Sequence, residues 1–220
     1  MTGAQPLNVV WWLVSRAAGI VALVLISLAV MLGLTLAAKV LRRPPLRRAA
    51  ARLHEHVALV SLAALGIHGL ALLGDRWLHP GWRGITVPFA LAYRPGWTGA
   101  GIIAGYLAVL LGPSFFLRRR IGARRWRSLH RATVLVWLLS AAHALGAGSD
   151  GGRLWLRVIV LAPVAPIAYL LVVRLAGSER SARPSRRARG AAAPASRPPA
   201  RRPRPHRAAE LEVTSDLSAP

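Results

Sequence analysis

LHEHVALVSLAALGIH, residues 53–68, places a histidine near each end of an apolar stretch, and LHRATVLVWLLSAAH, residues 129–143, repeats the pattern. The outermost histidines are 14 residues apart in the first segment and 13 in the second. On a helix, either spacing separates the two histidines by about 20 Å along the axis. Because the hydrocarbon core of a bilayer is about 30 Å thick, each helix would carry one histidine toward each membrane face.

The composition is that of a multispan membrane protein. Hydrophobic residues make up 54% of the chain and the mean hydropathy is +0.42. The net charge of +23 raises the question of nucleic acid, but the arginines gather between apolar runs and in the C-terminal segment, without interleaved aromatic residues. We therefore expect no nucleic-acid partner. The absence of cysteine excludes disulfides, iron–sulfur clusters, thiolate-ligated haem and covalently attached haem, so any haem would be b-type.

The apolar runs predict an all-α integral membrane bundle with about five transmembrane helices. They cover residues 10–38, 53–74, 98–117, 128–147 and 155–175, each near the roughly 20 residues that a span needs. Arginines crowd the segments 39–52 and 118–127, whereas residues 1–8 carry no basic side chain. The positive-inside rule therefore places the N-terminus outside and the C-terminus in the cytoplasm, in the cell membrane.

Three regions follow from these spans. Residues 1–9 form a short extracytoplasmic segment, residues 10–175 a haem-binding transmembrane domain, and residues 176–220 a basic tail. The tail is rich in Arg, Pro, Ala and Ser and has too few apolar residues to build a core, so we expect it to be disordered. Its arginines should attract anionic membrane lipids.

The second and fourth spans run in the same direction, so histidines at equal depths should pair. We expect an inner pair, His54 and His130, and an outer pair, His68 and His143, as axial ligands of two stacked b-type haem irons. His56 should face the loop or a propionate, and the alternative is that it replaces His54 as a ligand. The competing interpretation is that the histidines only hydrogen-bond between helices. A spacing of 13 also leaves the second helix's histidines about 140° apart, so that helix must deviate locally or the haems must be laterally offset.

Two arginines are candidate partners of the haem propionates. Arg16 lies within an otherwise apolar span, where a charge is costly and usually functional. We expect it at the depth of the outer haem; the alternative is that it extends to the lipid headgroups. Arg94, in the aromatic-rich loop 75–97, is expected near an outer propionate, with plain interfacial anchoring as the alternative. His79 and His206 should be solvated.

These residues resemble the ferric-reductase-like transmembrane domain family. Its members include the haem-binding membrane subunit of the periplasmic methionine-sulfoxide reductase system and the membrane halves of NADPH oxidases. The resemblance covers about residues 10–175. It is carried by the following segments: Leu53-His54 to His68 with Asp75 after it, Trp126 to His130-Arg131 and His143, Ser15-Arg16-Ala-Ala-Gly19, and Tyr93-Arg94-Pro95. It implies that the paired histidines ligate b-type haem and pass electrons across the membrane.

Full reductases of that family append a cytoplasmic FAD- and NAD(P)H-binding module. No G-x-G-x-x-G motif follows the last span here, so we expect flavin to act only through a partner. The predicted function is a transmembrane electron conduit, one component of an oxidoreductase. Its donor is a cytoplasmic flavin reductase or quinol, and its acceptor an extracytoplasmic redox protein or metal ion. The alternative function is a haem-free membrane scaffold or transport component with structural histidines.

Overall fold

The computed structural model describes residues 5–182, with side chains for residues 9–177, and these residues belong to one compact unit. Every regular element among them is helical, which confirms the predicted all-α class. The α-helices are α1 (Gln5–Ala37), α2 (Pro44–Ala71), α3 (Gly81–Thr86), α4 (Pro95–Leu111), α5 (Ser114–Ile121), α6 (Ala123–His130), α7 (Thr133–Gly146), α8 (Leu154–Leu161) and α9 (Val164–Ala182). A short 3-10 turn, Leu72–Gly74, extends α2.

Within the described residues, three helical stretches are long and apolar enough to cross a membrane. They are Val9–Ala37, Pro44–Gly74 and Leu154–Gly177. A fourth results if α4 and α5, which meet at a bend of 55°, form one span. Large apolar side chains are widely exposed on these helices, as expected for surfaces that face lipid. The chain is therefore a multi-pass membrane helical bundle, whereas the count of five spans and the outward N-terminus remain predictions.

Two of the predicted spans are interrupted. The run 98–117 is not one straight helix, because α4 ends at Leu111 and Pro113 cannot continue its hydrogen-bond ladder. The run 128–147 is divided between α6 and α7, and α7 has only 14 residues. Proline also marks helix starts, since α2 and α4 both carry it in their first turn, where the missing N–H costs nothing.

Helix α1 is the centre of the bundle. It packs along α2 and also contacts α7 and α9, while α4 packs on α7. The main apolar cluster joins α1, α4, α7 and α9 through Ile26, Val30, Leu34, Leu111, Val136, Trp137 and Ile167. Within this cluster the indole N–H of Trp137 donates to Ser27 Oγ over 2.9 Å, so its polar atom is satisfied inside the apolar core.

The C-terminal boundary differs from the predicted one. The last helix does not stop at residue 175 but continues to Ala182. The rest of the predicted tail, residues 183–220 with His206, lies outside the described residues, as do residues 1–4 of the predicted N-terminal segment.

Candidate functional site

The structure brings the four predicted histidines together as two pairs, each joining α2 to the α6–α7 segment. In the inner pair, the ring centres of His54 and His130 are 6.1 Å apart and the ring planes are inclined by 87°. In the outer pair, His68 and His143 are 6.2 Å apart with an angle of 74°. The partners are those predicted from the chain direction, and the two pairs have nearly the same separation.

The inner ring pair joins α2 to α6, and the outer ring pair joins α2 to α7. Helices α2 and α7 are not among the closely packed helix pairs of the described chain, because α2 packs on α1 and α7 packs on α4. Gly66 and Gly69, on either side of His68, face open space, since a β-carbon at either position would meet nothing within 4 Å. His54 and His68 are supported from behind by α1, and His143 is supported by α4.

Three of the four histidines use Nδ1 to bind a backbone carbonyl. The acceptors are Ala29 for His54 (2.9 Å), Ser15 for His68 (2.8 Å) and Trp97 for His143 (2.9 Å). A carbonyl oxygen can only accept, so Nδ1 must carry the proton in each ring. A neutral ring then has its lone pair on Nε2, which is the tautomer that binds a metal through Nε2.

His130 is held differently. Its Nδ1 is buried and has no acceptor in full hydrogen-bond geometry, and the Leu111 carbonyl is a weaker partner outside that geometry. Its ring instead stacks on Trp126, with the ring centres 5.0 Å apart and an interplanar angle of 24°. Trp126 is fixed in turn, because its indole N–H donates to Ser114 Oγ over 3.1 Å.

The break after His130 provides the local deviation that the 13-residue spacing requires. His130 is the last residue of α6, and Ala132 and Leu135 both donate to carbonyls three residues earlier, at 2.9 Å. Such 3-10 turns advance each residue by about 120° instead of about 100°. Each tightened residue turns His130 further toward the face that carries His143, and the structure brings both rings to α2.

Glycines on neighbouring helices make room for three of the rings. A β-carbon at Gly19 would lie 2.8 Å from His68 Nδ1, and one at Gly33 would lie 3.2 Å from His54 Cε1. A β-carbon at Gly101 would overlap the ring of His143. Sequence reasoning missed the role of Gly33, although Gly19 and Gly33 have the same 14-residue spacing as the histidines of α2. In antiparallel helices, matched spacings bring the residues to matched depths.

Arg16 and Arg94 both make protein contacts near the outer pair. Arg16 Nε donates to Asp150 Oδ2 over 2.6 Å, and its guanidinium lies 5.0 Å from the centre of the Trp12 ring. Arg94, the residue before α4, has a left-handed backbone conformation and donates to the Gly146 carbonyl over 2.5 Å. These contacts tie α1 to the segment after α7 and α4 to the C-terminal end of α7, and the predicted propionate contacts remain predictions.

The other predicted histidine, His56, lies apart from the pairs. It is exposed, and its Nδ1 donates to the Arg52 carbonyl of its own helix over 2.7 Å. The structure therefore brings His54, rather than His56, to His130. His79 is exposed in the loop before α3.

The donor set suits a metal that needs only two protein ligands. Across the described residues, no group of three or more His, Cys, Asp or Glu side chains could hold a bare metal ion. Haem iron differs, because the porphyrin supplies four nitrogens and the protein only the axial ligands. With metal–imidazole distances of about 2 Å, two axial rings have their centres about 6 Å apart. Both pairs match this separation.

A comparison with known proteins finds a relative that is named for binding heme. The chain is 35% identical over 136 residues to the protein-methionine-sulfoxide reductase heme-binding subunit MsrQ of Salmonella arizonae. The chain resembles this heme-binding subunit. The match covers 60% of this chain and 55% of the relative, so it spans about half the relative's length. No family model and no solved structure matches the chain. The resemblance inferred from the histidine pattern is thereby confirmed.

Proposed function

We propose that this protein binds b-type haem at its two histidine pairs and transfers electrons across the membrane as a subunit of a reductase. The observation that carries the proposal is the pairing of four histidines across the bundle, three of them with Nδ1 bound to a backbone carbonyl. The resembling subunit is named for binding haem, which supports the same chemistry here. Haem iron, when bound, supplies reversible one-electron oxidation and reduction.

The histidines would act as axial ligands. His54 and His130 would hold an inner haem, and His68 and His143 an outer haem, about 20 Å apart along the helix axes. With two imidazoles, each iron would have no open position, which would favour electron transfer over the binding of oxygen. The carbonyl contacts hold the proton on Nδ1 of three rings, so Nε2 of each would be free to bind iron.

The two ends of the bundle would serve different partners. In the expected orientation, the arginine-rich starts of α2 and α6 lie at the cytoplasmic face, beside the inner pair. Electrons would enter there from a cytoplasmic flavin reductase or from quinol. They would leave at the outer pair to an extracytoplasmic redox protein, such as a methionine-sulfoxide reductase partner, or to a metal ion. The inside-negative membrane potential favours this outward movement of negative charge.

The proposal is tested by a difference spectrum. Membranes that contain the full chain, prepared with haem supplementation and solubilised in detergent, should show a b-type band when dithionite-reduced and oxidised spectra are subtracted. A variant with all four paired histidines replaced by Ala should lose the band, whereas His56→Ala should keep it. A correctly inserted wild-type protein without the band would overturn the proposal in favour of a haem-free scaffold.

A further inference from the structure

The four paired histidines differ in what surrounds Nδ1, and the difference is largest between His68 and His130. His68 Nδ1 has two acceptors, both from Ser15: the carbonyl oxygen at 2.8 Å and Oγ at 3.1 Å. His54 and His143 have one acceptor each. His130 has none in hydrogen-bond geometry. The outer pair therefore has three acceptors in hydrogen-bond geometry on its ring nitrogens, whereas the inner pair has one, besides the weaker Leu111 carbonyl near His130.

Ser15 is held in this position by burial and by a hydrogen bond. It is 1% exposed, and its hydroxyl donates to the His68 carbonyl over 3.0 Å. Because that hydrogen points to the carbonyl, a lone pair of Oγ is left for the His68 N–H. The next residue, Arg16, is tied to Asp150 over 2.6 Å, which anchors this turn of α1 to the segment after α7. Ser15 thus contacts His68 with two of its own oxygens from a fixed backbone.

The inner pair lacks an equivalent of Ser15. Stacking on Trp126 sets the plane of the His130 ring, but the stacked indole provides no hydrogen-bond acceptor for Nδ1. An acceptor on Nδ1–H draws the proton away from the ring, which makes Nε2 a stronger donor to a metal. A stronger donor stabilises the more highly charged, oxidised iron and so lowers the reduction potential.

We propose that Ser15 is a positioning residue that sets the reduction potential of the outer site, and that the outer site is the lower-potential of the two. This inference rests on the proposed haem function. Each reduction is a one-electron conversion of ferric to ferrous iron, with dithionite supplying the electron in a titration. The inner site is then reduced first, and the membrane potential helps electrons move on to the outer site.

A redox titration of the full chain in detergent, followed at the b-type band, tests this assignment. The wild type should show two components, and His68→Ala should remove the one of lower potential. Ser15→Ala should raise the potential of that component alone, by a change of about fivefold in its ferrous-to-ferric ratio at fixed applied potential, as expected for one lost hydrogen bond. Ser15→Thr, which keeps the hydroxyl, should restore the wild-type value.

Ser61→Ala is the matched control. Ser61 is a buried serine on α2 whose hydroxyl donates to the Ala58 carbonyl of its own helix over 2.7 Å, so neither component should shift. If Ser15→Ala fails to retain the outer component, Ser15→Cys, with its weaker acceptor, should give a smaller shift in the same direction. The inference is overturned if His68→Ala removes the component of higher potential, or if the Ser15 variants leave both potentials unchanged. A wild type without any band would contradict the haem proposal itself, which is a separate outcome.

Discussion

Gly19 of α1 lies against the imidazole of His68 on α2, so close that a β-carbon at position 19 would be 2.8 Å from Nδ1. The same relationship recurs at Gly33 with His54 and at Gly101 with His143, although the clearance differs. Each glycine allows a helix backbone to approach the ring and supply the carbonyl or the wall that orients it. The ring positions therefore depend on three residues that have no side chain of their own.

Alanine at these glycines should displace the rings in a graded way. Gly101→Ala should have the largest effect, because its β-carbon would overlap the His143 ring, followed by Gly19→Ala. Gly33→Ala, at 3.2 Å from His54, needs only a small adjustment. We expect the first two to weaken the outer haem component and the third to affect the inner component slightly. The measurement is the haem content of each component in reduced-minus-oxidised spectra.

Gly66→Ala is the control for this series, because it adds the same methyl group to α2 where nothing lies within 4 Å. It should keep both components and gain slightly in helix stability, by up to about 1 kcal/mol. If Gly66→Ala and Gly101→Ala lost haem equally, the loss in Gly101→Ala would not be caused by contact between the new methyl group and the His143 ring.

Replacing single histidines should separate the two sites. His68→Ala or His143→Ala should remove the outer haem and leave the inner one, and His54→Ala or His130→Ala should do the reverse. Each change removes one histidine of one pair only. Haem-to-protein stoichiometry and the spectrum of each variant give the measurement. Loss of the same spectral component in all four variants would favour a single haem.

The pairing of the histidines was predictable from the sequence because it depends on two simple quantities, chain direction and rise per residue. Two parallel helices with spacings of 14 and 13 residues can match their histidines in only one order. The way in which His130 reaches the shared face was not predictable in detail. It depends on 3-10 turns after α6. The sequence does not predict these turns, because positions 131 and 132 are Arg131 and Ala132 rather than proline or glycine.

The ion pair of Arg16 and Asp150 was missed for a different reason. The two residues are 134 positions apart, and the apolar pattern places each only in a span or a loop. Sequence reasoning therefore assigned Arg16 a haem propionate without a protein partner. By contrast, the bend between α4 and α5 has a clear signal in Pro113, which the hydropathy of residues 98–117 concealed.

Variants of the Arg16–Asp150 pair should distinguish a structural role from a propionate contact. Asp150→Asn should lower the stability of the folded protein by about 1 kcal/mol, the upper range for a partly exposed pair, and lower its Tm in detergent. It should leave the outer haem in place, because Arg16 keeps its charge. Arg16→Gln should in addition weaken the outer haem component. If the two variants retained the outer haem equally, the role of Arg16 would be limited to its ion pair with Asp150.

Removal of residues 183–220 should leave haem binding unchanged. The four histidines and all of their described contacts lie within residues 9–177, and ending the chain after Ala182 keeps α9 intact. The deleted segment is rich in arginine and has no apolar periodicity, so its expected role is attraction to anionic headgroups. The truncated protein should show the wild-type spectrum and haem stoichiometry. A peptide of residues 183–220 should bind vesicles that contain phosphatidylserine at low salt and release them at high salt, where charges are screened over a few ångströms. Haem loss in a truncated protein that still inserts into the membrane would instead give these residues a part in holding the haem domain together.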